Sequence, residues 1–460
     1  MNIITIVSDT LRYDCVAYHG TEPEGWDLAS PIRTPHIDHF AQEAMVFDQA
    51  YTGSFPTIPM RTDMFTGKLT FPFRGWTPLP VEERILSEEL SKAGYVSMLI
   101  CDTPHLVRDG HRFDRGFSAW HWNRGQEGDR AITDDIPVEY TCDPDKLRAA
   151  ERHKKCHLRW RTAHWQSEED TFVARTMRDA CRWLERNHTH EKFFLHIDTF
   201  DPHEPWDPPQ HYRDLYDPGY TGQVVDHPLY DYDDYLTPEE LRHCRALYAG
   251  EVTLVDTWLG RLFETMEHLR LYEDTAVFFL SDHGHYIGDH GRVGKSGEGA
   301  DGPWPYYQEI NHLVMMARVP GGKRGVRTDR LTQPVDIMPT ILDLAGLPVP
   351  DGIDGISLVP LFEGKPVSQW PVVVTSRVLS DDAGDAVCST ITNGSWTLQY
   401  RGSDYPAELH DLEKDPHQEH NVYGDRGDEA ERLHAAYVAL LKEVGTEEAK
   451  IALRRELPTP

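Results

Sequence analysis

The chain predicts an α/β fold: a mixed, largely parallel sheet sandwiched by helices, followed by a smaller C-terminal α+β subdomain. Three observations lead there. The apolar runs Asn2–Val7 (NIITIV), Phe193–Phe200 (FFLHIDTF) and Ala276–Leu280 (AVFFL) are short and β-prone, and they read as strands buried on both faces, as in parallel sheets. Each run leads into residues that carry chemistry: Ser8-Asp9, Asp201 with His203, and Ser281-Asp282-His283-Gly284. From about Pro366 the pattern changes to shorter β-like runs, Val372-Val373-Val374 and Trp396-Thr397-Leu398, before a terminal helix near Glu429 to Glu443. Residues 1–365 are therefore assigned to a catalytic domain and 366–460 to the subdomain.

In open α/β sheets ligands bind beyond the carboxyl ends of the strands. Asp9 and Asp282, each closing an apolar strand, fall at such an edge, and the imidazole of His283 beside Asp282 makes a plausible metal corner. Read alone, Asp9 is equally a turn residue and Asp-His-Gly a polar strand end. Thr34-Pro35 starts a helix, with Thr as N-cap, Pro at the first helical position and Ile37, Phe40, Ala41 and Met45 on the buried face.

A second helix runs from Pro59 to the stop at Gly67, with Met60, Met64 and Phe65 buried. That spacing puts Thr57 just ahead of the helix N-terminus, where unpaired N–H groups favour negative charge, and Arg61 one turn further on. Ala180 to Leu184 reads as helix, Leu313 to Val319 as a further apolar run and Pro334 to Ala345 as helix. Residues 123–170 (rich in Arg, His and Trp) and 211–240 (rich in Asp and Tyr) lack strand periodicity and read as insertions. They are either solvated surface, the commoner case, or loops shaping substrate access or subunit contacts, so a homo-oligomer is compatible with the sequence.

The 460 residues carry 76 acidic and 46 basic side chains, a formal net charge of -30. Nucleic acid and anionic membranes are excluded as partners, because both need a basic footprint. No run approaches the ~18 apolar residues of a membrane span. The seven Cys are scattered without a C-x-x-C pair, and the first strand begins at residue 2 with no room for a basic leader, so reduced thiols and a cytoplasmic location are expected.

Thr57-Ile58-Pro59-Met60-Arg61 with Thr66-Gly67-Lys68, Asp9 through Gly20, Asp201-Pro202-His203-Glu204-Pro205-Trp206, Ser281 through Lys295, Val335 through Gly346 and Glu408 through Pro416 stand in one order along nearly the whole chain. Jointly they resemble the sulfatase family of the alkaline phosphatase superfamily. The resemblance implies an alkaline-phosphatase-like fold and a hydrolase acting on a small anionic ester. Its metal ligands would be Asp9, Asp282, His283 and Thr57, holding one divalent ion, with Mn²⁺ or Zn²⁺ favoured by ligand type and Ca²⁺ or Mg²⁺ compatible.

Thr10 stands where many relatives have a second acid, and Pro205 where two-zinc relatives have a His, so a single metal is expected. By family position Arg61 stabilises the nucleophile and the developing charge, while His203 and Lys295 contact the anion and assist the leaving group. Lys68 and His105 would compensate charge and, with Thr10, contact substrate. His285 and His290 are either supporting residues or exposed loop histidines.

The family's nucleophile is a formylglycine made from Cys or Ser; Thr57 departs from that pattern, and no formylglycine is expected. Threonine suits a covalent phospho-enzyme better than a sulfo-enzyme, which would lack the aldehyde collapse that expels sulfate. The leading expectation is hydrolysis of phosphodiesters or phosphonate monoesters through Thr57. A sulfuric ester hydrolase is the alternative, and a non-catalytic binding protein that retains the fold comes third.

Overall fold

The apolar runs form strands because each has a core on both sides. In the computed structural model, which describes residues 1–299, 302–380 and 387–458, β1 (Asn2–Ser8) is buried along its whole length. Its Ile4 and Ile6 face one hydrophobic cluster and Ile3 and Val7 another, the alternation a pleated strand imposes. After β1 come α1 (Pro35–Gln42), β2 (Met45–Phe47), α2 (Thr57–Thr66), β3 (Val96–Cys101), β4 (Ala119–Trp122), α3 (Phe172–Asn187) and β5 (Phe193–Thr199). The large domain continues through α4 (Pro238–His268), β6 (Thr275–Ser281), β7 (Met315–Arg318), β8 (Val326–Thr328) and α5 (Ile337–Leu344).

The sheet runs β8-β2-β7-β6-β1-β5-β3-β4. The pairs among β6, β1, β5, β3 and β4 are parallel, whereas β7 is antiparallel to both β6 and β2. One face is covered by α1, α3 and α4 through Phe40, Met177 and Val255, the other by α2 and α5 through Met64 and Ile341. This is an alkaline-phosphatase-like mixed sheet between helix layers. Beyond it, β9 (Val373–Ser376), β10 (Ser389–Thr392), β11 (Trp396–Tyr400) and β12 (Glu408–Asp411) form an antiparallel sheet in sequence order. With α6 (Gly427–Glu443) it shares a core that includes Leu69, Phe71 and Val335 of the large domain. No helix among the described residues is long and apolar enough to cross a membrane.

Three expectations are corrected. Thr34 is the N-cap of α1, as expected, but its side chain does not do the capping: its hydroxyl accepts from Ala17 N–H and donates to Asp38, and the free N–H groups of His36 and Ile37 are taken instead by Asp256 of α4. Thr57 lies inside α2 as its first residue, because Pro56 is the N-cap and Pro59 is tolerated in a first turn, where its missing N–H has no intrahelical partner to lose. The insertions are not simply solvated surface. Gln126, Glu127, Asp129, His153 and His157 of the first, and Asp226 and His227 of the second, are buried.

Candidate active site

The register of two parallel strands builds the centre. β1 and β6 pair with Ser8 opposite Ser281, so the next residues, Asp9 and Asp282, emerge side by side at the carboxyl edge. Gly284 then turns the chain; a Cβ there would sit 1.9 Å from the Glu309 carbonyl, so only glycine permits this approach. His283 donates from Nδ1 to the Gly284 carbonyl at 2.9 Å, which leaves Nε2 as a lone pair 3.5 Å from Asp282 Oδ2 and 3.9 Å from Asp9 Oδ1. Ligand atoms of Asp9, Asp282 and His283 lie within 4.8 Å of one another, all buried.

Neither oxygen of Asp9 accepts a hydrogen bond. Burial, and then the neighbouring Asp282, push the Asp9 carboxyl well above its ordinary value, against the pull of Arg61. Two buried carboxylates, one lacking donors, with an imidazole lone pair turned towards them, fit a divalent cation.

Thr57 Oγ1 approaches this centre from α2, 3.4 Å from His283 Nε2. The chain ahead of α2 is held by Ser54, whose hydroxyl accepts from Thr70 and Phe71 N–H, and by Asp63, which accepts from Ser54 N–H. All ten residues of α2 are buried, so the position of the Thr57 hydroxyl is fixed by core packing.

Arg61 differs from its expected role. Nε and Nη2 hold Asp198 at 2.7 and 2.8 Å, Nη1 holds Asp282 at 2.6 Å and the Thr57 carbonyl at 3.2 Å, and Nη2 lies 3.3 Å from Asp9. Four of its donors are hydrogen-bonded and the fifth faces Asp9 in an ion pair, so in this structure the guanidinium organises carboxylates. Asp198, which sequence reading passed over inside an apolar strand, is its principal partner. Burial raises the Asp198 carboxyl, but Arg61 outweighs it and the group lies below its ordinary value. Arg61→Lys, which cannot reproduce this planar fork, is expected to cost about 3 kcal/mol of stability, read from urea unfolding.

On the other side, Lys295 Nζ donates to His203 Nε2, and Phe200 stacks on the His203 ring at 3.8 Å. Burial holds His203 well below its ordinary value, against the opposing charge of Glu204, so it is neutral near pH 7. Glu204 is fully buried against His203, His285, Arg148 and Tyr230. His285 is therefore buried, not an exposed loop residue, while His290 pairs with Glu309 at 3.3 Å. Asp201 is structural: it accepts from Gln126 and from Val173 N–H in the first turn of α3.

The remaining candidates separate. Thr10 adopts φ 57° and donates its N–H to Asp282 at 2.9 Å, while its buried hydroxyl has no hydrogen-bond partner. His105 lies at the rim, in edge contact with Phe200 and 3.6 Å from Glu127. Lys68 does not join the site. It follows the C-terminus of α2, about 15 Å of helix from Thr57, and pairs with Glu83 at 2.7 Å.

Burial raises the Glu204 carboxyl, but His203, Arg148 and His285 outweigh it and hold the group well below its ordinary 4.5. A depressed carboxylate contributes stability above its unfolded pKa and loses it as pH falls through the folded value. The urea midpoint is expected to drop below pH 4.5, and Glu204→Gln to make that drop smaller.

Comparison with known proteins bears on the family and the fold. A family model described as "Sulfatase" matches residues 1–347, and one described as "N-sulphoglucosamine sulphohydrolase, C-terminal" matches residues 304–444. The chain is 28% identical over 496 residues to an arylsulfatase of Clostridium perfringens, covering 97% of this chain and 95% of the relative. It is 25% identical over 506 residues to the multifunctional alkaline phosphatase superfamily protein PehA of Trinickia caryophylli, covering 96% and 93%. A crystal structure of a phosphonate monoester hydrolase of Agrobacterium radiobacter superposes with a TM-score of 0.72 at 23% identity, covering 96% and 95%. With three quarters of its length matched by the family model and its chemistry-bearing residues gathered at one sheet edge, this chain belongs to the sulfatase family.

Proposed function

We propose that the protein is a divalent-metal-dependent hydrolase of phosphodiesters or phosphonate monoesters that works through a covalent Thr57 intermediate. The observation that carries this is a threonine hydroxyl, at the start of a helix, facing a buried cluster of two carboxylates and an imidazole. Carboxylate and imidazole ligands favour Mn²⁺ or Zn²⁺. A cation held by Asp9, Asp282, His283 and the Thr57 oxygen would lower the pKa of the Thr57 hydroxyl and offset the charge of the ester.

The side chains then divide the work. The Thr57 oxygen, ionised and favoured by the positive end of α2, attacks phosphorus. The bond from phosphorus to the alcohol oxygen breaks, and the Lys295 ammonium gives that oxygen a proton. Water next attacks the phosphorus of phospho-Thr57, gives its proton to the Lys295 amine and releases the Thr57 oxygen as the anion that began the cycle.

Charge supports a singly charged substrate. As substrate arrives, with the Thr57 hydroxyl still protonated, Asp9, Asp198 and Asp282 together match Arg61 plus a dication, so Lys295 is left to meet one negative charge. A diester or phosphonate monoester carries one; a phosphate monoester carries nearly two. The similarity to an arylsulfatase favours sulfate esters as the second reading. Against it, a sulfo-threonine has no aldehyde through which to expel sulfate.

The test is an assay of Mn²⁺- and Zn²⁺-loaded protein on matched p-nitrophenyl esters: a phosphodiester, a phosphonate monoester, a phosphate monoester and a sulfate. Preference for the diester or phosphonate is expected. Preference for sulfate would overturn the phosphorus reading, and no turnover of any ester would favour a binding protein.

A further inference from the structure

Directly behind His203 the two insertions meet on one carboxylate. Glu204 has no exposed surface. Its Oε1 accepts from Arg148 Nη2 at 2.8 Å and from the Tyr230 hydroxyl; Arg148 comes from the first insertion and Tyr230 from the second. The other oxygen, Oε2, lies 3.1 Å from His203 Nδ1 and 3.3 Å from His285 Nε2.

The Arg148 guanidinium also stacks over the Tyr230 ring at 4.4 Å and reaches Glu127 Oε1 at 3.1 Å, so the clamp is braced from both sides. Burying a carboxylate costs several kcal/mol unless its charge and lone pairs are matched. Here an arginine and a tyrosine hydrogen-bond to one oxygen, while two imidazoles lie against the other, which accepts no hydrogen bond.

The consequence falls on the His203 ring. Nδ1 hydrogen-bonds at 2.6 Å to the Glu204 carbonyl, which can only accept, so Nδ1 carries the proton; Glu204 Oε2 lies 3.1 Å away without a hydrogen bond of its own. Nε2 is then a lone pair, and Lys295 Nζ donates to it.

We propose that Glu204 is a positioning residue: its carbonyl takes the Nδ1–H, and its carboxylate, clamped by Arg148 and Tyr230, adds the negative charge that holds the His203 ring with Nδ1–H turned inward, so that Nε2 aims Lys295 at the leaving-group oxygen. The ring geometry stands by itself, while the leaving-group role rests on the hydrolytic reading above. The insertions thereby belong to the proton-delivery apparatus, although neither supplies the group that gives the proton.

Two readouts test this on the full-length, metal-loaded protein. In ¹⁵N-histidine-labelled protein, with the His203 signals identified by their loss in His203→Gln, the wild type is expected to show a protonated Nδ1 and a bare Nε2 near neutral pH. Glu204→Ala is expected to move the Nδ1–H resonance upfield and speed its exchange. Glu204→Gln, which keeps an acceptor oxygen, should partly restore it. Tyr230→Phe, which leaves the carboxylate in place and is the safer variant for folding, should shift the signal the same way by a smaller step.

In kinetics, Glu204→Ala is expected to lower kcat about 10–100-fold on an alkyl ester. On the matched p-nitrophenyl ester, whose leaving group departs with little proton help, the loss should be less than about threefold, with KM unchanged on both. A wild-type ring protonated on Nε2, an Nδ1–H signal indifferent to Glu204→Ala, or equal losses on the two esters would each overturn the assignment. Failure of the wild type to turn over either ester would instead remove the hydrolytic reading, and the imidazole spectra would still decide the role of Glu204.

Discussion

Thr57→Ala lowers kcat by about 10⁴-fold or more if Thr57 is the nucleophile, close to 5.5 kcal/mol of transition-state stabilisation. Thr57→Ser, which keeps the oxygen and removes only a methyl, is expected to retain activity within about tenfold. The two variants bracket the role, because position 57 is buried in a fully packed helix and both changes leave α2 intact. Acid-quenched wild-type enzyme should carry one phosphoryl group on the peptide containing Thr57, visible by mass spectrometry, and Thr57→Ala should carry none. Wild-type activity surviving in Thr57→Ala would remove the covalent mechanism altogether.

The second large effect concerns Asp9, and it has opposite signs with and without metal. In metal-free protein its carboxylate is buried, accepts no hydrogen bond and faces Asp282, an arrangement that destabilises the fold. Asp9→Asn removes that repulsion and is expected to raise the thermal midpoint of the metal-free protein. Adding Mn²⁺ or Zn²⁺ at a thousandfold excess over Kd should stabilise the wild type by about 4 kcal/mol and the variant by far less. Activity should fall with metal content, read by elemental analysis. A variant that binds metal as tightly as the wild type would exclude Asp9 as a ligand.

The strands and their ends were legible because burial on both faces writes largely apolar runs, and the residues after β1 and β6, Asp9 and Asp282, stand out as the first charged ones. Thr57 and Arg61 were legible as a helix start and its first turn, although α2 begins two residues earlier than Pro59 alone indicates. The longest helix, α4, was passed over even though Thr237, Pro238 and Glu240 form a capping box at its start. Packed on several sides, it buries Glu251 and Asp256 among its apolar residues and blurs any single stripe.

The partners of Glu204 were not legible. Arg148 and Tyr230 are brought to it by folding across 56 and 26 positions, from segments without periodicity. Asp198 was hidden for the opposite reason: its neighbours in β5 made it look like an interruption in a core strand, and only the arrival of Arg61 gives a carboxylate there a purpose.

The pairing of Ser8 with Ser281 has a consequence for how the proposed metal would be acquired. The second carboxylate and the imidazole arrive only when β6 has docked between β1 and β7, after most of the large domain has been synthesised. A nascent chain thus offers a metal little more than Asp9. An ion of the kind proposed would bind only after sheet closure, as a late clasp between β1 and β6. A metal found in the purified protein would then record which ion was abundant where folding finished, as well as which one the ligands prefer.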